Sequence, residues 1–104
     1  MEYSVHTTKR FDEEVEKLSS EEMRRIENII QQLKENPYVG DQLQIKMFRE
    51  KRIDEKRIYY LVFDDLHAVL LIAISGKKAQ QKVINFIREN INSYREYLKR
   101  IMNS

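Results

Sequence analysis

Two runs constrain this chain most: Ile58-Tyr59-Tyr60-Leu61-Val62-Phe63 and His67-Ala68-Val69-Leu70-Leu71-Ile72-Ala73-Ile74, with Asp64-Asp65 between them. Both are rich in the β-branched and aromatic side chains that suit strands, and both are apolar at successive positions rather than alternate ones. A strand apolar on both faces belongs inside a sheet. An Asp-Asp pair is turn chemistry. The pattern predicts a hydrophobic hairpin, with Ile58–Phe63 a central strand and His67–Ile74 the last and most hydrophobic one.

The flanking segments read as follows. Tyr3–Thr7 alternates as a short strand. Thr7 or Thr8 can N-cap a helix whose apolar face is Phe11, Val15 and Leu18. Ser19 and Glu22 have capping-box spacing for a second helix, striped by Met23, Ile26, Ile29, Ile30 and Leu33. Asn36-Pro37 ends it, because the residue before proline is pushed out of the helical region. Tyr38–Asp41 reads as a loop, and Leu43–Phe48 as a strand with Leu43, Ile45 and Met47 on one face and Lys46 and Phe48 on the other. Arg49–Glu55 is either a long hairpin connection or an extension of both strands. Helix is expected from Lys77 onward, kinked or split near Asn90–Ser93. The order β-α-α-β-β-β-α gives an α+β fold: an N-terminal strand and αα-hairpin packed on a small, mainly antiparallel sheet, then a C-terminal helix. The 104 residues make one domain, with residues 91–104 a C-terminal helical extension.

Composition narrows the function. With no cysteine there is no disulfide framework and no thiolate site. No apolar run approaches the ~20 residues needed to span a bilayer, and the chain opens with charge rather than an apolar signal segment. A cytoplasmic protein that does not engage membranes is expected. The net charge is only +2, but its distribution is uneven. Residues 11–36 hold eight acids against four bases, residues 42–60 six bases against three acids, and residues 75–83 three lysines and no acid. An acidic front half and a basic back half suggest a two-sided molecule.

Common catalytic constellations are missing. His6 and His67 lie far apart and neither has ligand spacing to a carboxylate, which argues against a metal centre or a histidine-based hydrolase. The chain has two glycines and no phosphate-cradling glycine loop. What remains is basic. If Leu43–Phe48 pairs with Arg57–Phe63, then Lys46, Arg49, Arg52 and Arg57 project near one another. Lys77 and Lys78 sit at a strand–helix junction, where free N–H groups also favour an anion. Solubilising surface charge is the plain alternative.

The strand Arg57-Ile58-Tyr59-Tyr60, an apolar strand ending Ile74-Ser75-Gly76-Lys77-Lys78, and the helix after it resemble the RelE/ParE toxin superfamily of type II toxin–antitoxin systems. Lys77-Lys78-Ala79-Gln80-Gln81 is similar to the lysine-lysine-(Thr)-Gln signature of the HigB-like branch. The resemblance runs from Tyr3 to about Asn90, and the tail beyond is longer than in the smallest members. It implies an mRNA endoribonuclease, usually ribosome-associated, that needs no metal or other cofactor. Arg57 would contact the scissile phosphate, Lys78 would stabilise the transition state, and Lys46 would act as base or charge stabiliser. Arg49, Lys51, Arg52, Lys56, Lys77 and Lys82 would hold the RNA backbone in a salt-dependent way. A cognate antitoxin is implied as partner, with the Tyr59, Leu61 and Phe63 side of the central strand either a candidate surface for it or simply core.

One position departs from the pattern. Where RelE has a catalytic tyrosine this chain has Ile84, with Tyr60 or Tyr94 as stand-ins. That departure supports the alternative of a non-catalytic toxin-fold binder or a ParE-like DNA gyrase inhibitor. The dense basic residues support the ribonuclease.

Overall fold

The two apolar runs lie inside a five-stranded sheet. In the computed structural model, which describes residues 2–104, the strands are β1 (Ser4–Thr7), β2 (Asp41–Leu43), β3 (Ile45–Ile53), β4 (Lys56–Phe63) and β5 (Ala68–Ser75). They are ordered β1-β5-β4-β3-β2. β1 runs parallel to β5, and the remaining neighbours are antiparallel. Residues 58–63 and 68–74 are all 6% exposed or less, so both faces of the sheet centre are covered.

Helices α1 (Lys9–Val15) and α2 (Ser20–Glu35) supply the cover on one side. Phe11, Ile26, Ile29 and Leu33 meet Ile58, Tyr60, Val62, Val69 and Leu71 there. On the other side α3 (Gln80–Glu89) and α4 (Ile91–Met102) bring Val83, Ile84, Ile87 and Leu98 against Phe48, Tyr59, Leu61, Phe63 and Leu70. Helices on both faces are why the central strands lack polar alternation. They also decide between two readings of one face. Tyr59, Leu61 and Phe63 are 0–1% exposed beneath α3 and α4, so they are core and present no surface to a partner.

Local signals set the helix starts. Thr8 N-caps α1, its Oγ accepting the Phe11 N–H at 3.0 Å and donating to the Ile72 carbonyl at 2.7 Å. That carbonyl needs a donor because Ile72 is the extra residue of a bulge: Tyr59 faces Ala73 while Tyr60 faces Leu71. Ser19 and Glu22 form the expected capping box at 3.1 Å in each direction.

Several boundaries differ from the sequence reading. Asp41, read as loop, opens β2, the expected Leu43–Phe48 strand is broken at Gln44 (φ 69°) so that Leu43 belongs to β2, and β3 and β4 extend to a tight turn at Asp54, whose φ is 52°. The extension reading of residues 49–55 therefore holds. His67 does not open β5; it turns the chain at φ 51°, its ring stacked 4.0 Å from that of Tyr3. Residues 77–79 form a 3-10 turn before α3, and the C-terminal helix is split at Asn90, which caps the Phe86 carbonyl through Nδ2 at 2.7 Å.

The loop before β2 is clamped. The Gly40 N–H donates to Tyr60 Oη at 3.0 Å, Tyr60 donates to the Pro37 carbonyl at 2.9 Å, and Arg49 Nε donates to the Gly40 carbonyl at 2.9 Å. A Cβ at residue 40 would lie 2.5 Å from the Glu50 carbonyl oxygen and 2.6 Å from Tyr60 Oη, so only glycine fits this approach.

Candidate functional site

At the end of the sheet where β3 turns into β4 and β5 leaves for α3, polar side chains gather on the α3 face. The register sets Glu50 opposite Tyr59, Arg52 opposite Arg57, and Arg57 opposite Ser75. Residues of one parity share a face, so the polar groups Glu50, Arg52 and Arg57 emerge beside the apolar Phe48 and Tyr59. Arg52, Glu55, Arg57 and Lys77 line an open cleft of about 300 Å³ here.

Arg57, which lines the cleft, is paired with Glu50 on the neighbouring strand. Glu50 Oε2 is 3.5 Å from Arg57 Nε, with the two side chains 9% and 12% exposed. Screening by water is weak at such positions, so the charges hold each other strongly. The Nε hydrogen has no acceptor, so this is a charge contact rather than a directed hydrogen bond. Gln80, at the start of α3, donates from Nε2 to Glu50 Oε1 at 3.4 Å. Behind the pair, Tyr59 Oη and Ser75 Oγ are 2.8 Å apart, and Ser75 donates to the Gly76 carbonyl. Burial, reinforced by the Glu50 charge, pushes the Tyr59 hydroxyl above its ordinary pKa.

The expected basic residues divide among several places. Arg57, Arg52 and Lys77 share the cleft. Lys78 and Lys82 are exposed nearby, on the 3-10 turn and in the first turn of α3. Lys56, one residue from Arg57, emerges on the opposite face and binds Glu22 Oε2 at 2.8 Å. Lys51 is on that face too, in a cleft with Arg25, Asn28 and Ile29 that Arg52 also edges. Arg49 is occupied in holding the Gly40 and Lys46 carbonyls at 2.9 and 2.8 Å.

Lys46 is not brought to the cleft. Its ammonium sits 4.9 Å above the Tyr38 ring, close enough to Asp64 to lower that carboxyl's pKa. Asp64 follows the last residue of β4, and the strand from Arg57 to Phe63 spans roughly 20 Å. Lys46 and Arg57 therefore cannot serve one phosphate. The expected convergence of Lys46, Arg49, Arg52 and Arg57 is thus resolved into two ends of the hairpin.

No tyrosine stand-in reaches the cleft. Tyr60 is buried on the α1–α2 face, held by Pro37 and Gly40. Tyr94 packs against the core beneath α3 and α4, where burial raises its pKa, and Ile84 belongs to that core. Sequence reasoning missed Glu50, Gln80, Tyr59 and Ser75. The available signal was Glu50 itself, an acid with the parity of Arg52 inside a basic strand. Among the described residues, no group of three or more His, Cys, Asp or Glu side chains could hold a metal ion.

No family model and no curated protein matches the sequence. Solved structures do match: the fold is that of RelE toxins. A doubly substituted E. coli toxin RelE in the free state is 22% identical with a TM-score of 0.67, covering 97% of this chain and 99% of that one. RelE of the archaeal RelE–RelB complex from Pyrococcus horikoshii is 16% identical with a TM-score of 0.67, covering 74% of this chain and 97% of the other. The toxin–antitoxin complex RelBE2 from Mycobacterium tuberculosis gives 18% identity and a TM-score of 0.64, covering 74% and 93% respectively.

Proposed function

We propose that this chain is the toxin of a type II toxin–antitoxin pair and an endoribonuclease that cuts mRNA. The observation carrying this reading is the cleft in which Arg57, charge-balanced by a shielded Glu50, is flanked by Arg52 and Lys77. The likeness to RelE, a toxin solved with its antitoxin, supports the partner assignment. An acidic antitoxin segment laid over this basic end would both bind and occlude it. Action in the cytoplasm, on ribosome-bound message, belongs to the same reading.

RNA cleavage at this cleft needs no external reactant. The 2′-hydroxyl loses its proton, O2′ bonds to phosphorus, the P–O5′ bond breaks, and O5′ takes up a proton. The products are a 2′,3′-cyclic phosphate and a 5′-hydroxyl. Arg52, Arg57 and Lys77, which line the cleft, face the negative charge that builds on the phosphate oxygens. Preorganised charge of this kind is often the largest catalytic contribution. Glu50 is a positioning residue, holding Arg57 by charge, and Glu55 in the cleft lining is the carboxylate at hand to accept the 2′ proton.

A second reading has its own observation. Ile84 lies in the core, and neither Tyr60 nor Tyr94 reaches the cleft, so no exposed tyrosine is available to protonate O5′. That favours a binder without cleavage, of which a gyrase inhibitor is one form. Inducing the gene in a heterologous bacterium, with growth and primer extension on reporter mRNA followed together, separates the two. New mRNA ends absent from an Arg57→Lys strain support the nuclease. Arrest with intact mRNA supports the binder.

A further inference from the structure

The end of the sheet carries a second concavity, on the α1–α2 face, directly behind the cleft. It measures about 250 Å³ and is lined by Glu14, Lys17, Leu18, Lys56, Ile74, Ser75 and Gly76. Its apolar lining comes from two elements: the half-buried Leu18 of the α1–α2 connection, and Ile74 at the end of β5, which is 6% exposed and so forms the base rather than a wall. Lys17 brings positive charge to it, while Lys56 is paired with Glu22 at 2.8 Å. The acids in reach are already engaged. Glu14 accepts the Ile74 N–H through Oε1 at 2.8 Å and Arg10 through Oε2 at 3.3 Å. Glu22 is held by Lys56 and by the Ser19 N–H.

The two concavities are neighbours because successive strand residues point to opposite faces. Arg57 lines the first and Lys56 the second. Between them runs the backbone of Ser75 and Gly76. Gly76 leaves this ridge bare: a Cβ there would meet nothing within 4 Å. Its φ of −83° is open to any residue, so conformation alone does not demand glycine.

Resting on the RNA-cleaving reading, we propose that this second concavity is a nucleotide subsite. The strand whose scissile phosphate lies at Arg57 crosses the sheet end over Gly76 and sets its neighbouring base against Leu18, above Ile74. Lys17 meets the phosphate that follows. The Ile74 N–H is committed to Glu14, and the Ser75 hydroxyl to the Gly76 carbonyl and Tyr59. With those groups engaged, the slot grips a base by its apolar face and tolerates different bases.

The test is an NMR titration that follows methyl, arginine Nε–H and backbone amide signals, with an uncleavable RNA hexanucleotide carrying 2′-O-methyl sugars. The expected result is that Leu18 and Ile74 methyl signals move together with the Arg57 side-chain signal. Lys17→Ala should lower the log–log salt slope of binding by about 0.7, the loss of one single-strand phosphate contact. Gly76→Leu, which stands clear of the protein's own atoms, should weaken binding severalfold at an unchanged melting temperature. Shifts confined to Arg57, Lys77 and Gln80, with an unchanged salt slope in Lys17→Ala, overturn the subsite and leave the nuclease reading standing. Absence of any RNA binding overturns both.

Discussion

Arg57 and Glu50 face each other at 3.5 Å across two neighbouring strands, each nearly closed off from water. Removing one member leaves the other charge stranded. For buried pairs that costs about 3–5 kcal/mol, and the residual exposure here puts Glu50→Ala at the lower end of that range. Urea denaturation checks this, and an unchanged midpoint would show that water already solvates the pair. Arg57→Lys keeps the charge but loses the planar fork, so the fold should survive while RNA cleavage falls by roughly 10²-fold or more.

Lys46→Ala should leave cleavage nearly intact, whereas Lys77→Ala should lower it. The reason is distance along β4, which keeps Lys46 at the Tyr38 and Asp64 end. Initial cleavage rates of the two purified variants on one RNA decide the matter. A Lys46→Ala loss as deep as that of Arg57→Lys would mean that the substrate reaches both ends of the hairpin.

At that far end, Asp64 should make stability pH-dependent on both sides of neutrality. Hydrogen bonds from Tyr38 and then Tyr3 hold its carboxyl pKa below the ordinary value. Its contribution is present above the unfolded carboxyl pKa of about 4 and is lost as pH falls through the lower folded value. The Tyr38 hydroxyl is raised by burial first and Asp64 second, and Tyr3 is raised chiefly by its 2.7 Å hydrogen bond to Asp64. Those contributions are complete below about pH 10 and fade as pH rises through the folded values. Thermal melts of Asp64→Asn should show a flatter profile at both extremes, and a profile parallel to the parent's would remove Asp64 from the account.

Gly40→Ala tests the clamp on the loop before β2. Its Cβ would press on the Glu50 carbonyl, so the loop must move and the Arg49 and Tyr60 hydrogen bonds with it. A loss of roughly 1–3 kcal/mol is expected from the overpacking. Tyr60→Phe, which forfeits the contacts to Pro37 and Gly40 without the clash, should cost a comparable amount.

Leu98→Ala should destabilise by about 2–5 kcal/mol, because Leu98 is fully buried in the cluster that α4 shares with the sheet. Equilibrium unfolding measures it. A loss below 1 kcal/mol would mean that α4 is peripheral to the fold.

By itself, the sequence determined the elements whose cause is local. Residues 58–63 and 68–74 are apolar at every position and fold as the sheet centre; Ser19 and Glu22 make their capping box; Asn36-Pro37 ends α2. Periodicity, capping and proline stereochemistry act over a few residues, which is why these are legible. The grouping of charges was not, because strand register depends on side chains far apart in the chain. Lys46 and Arg57 belong to one basic stretch yet end on opposite ends of the hairpin, while Lys56 and Arg57 are adjacent yet line opposite faces. Asp41 read as loop because only pairing with β3, opposite Glu50, makes it part of a strand. Only tertiary structure set Glu50 beneath Arg57, through a β3–β4 register fixed by the turn at Asp54 and by the burial of Phe48 and Ile53 on opposite faces.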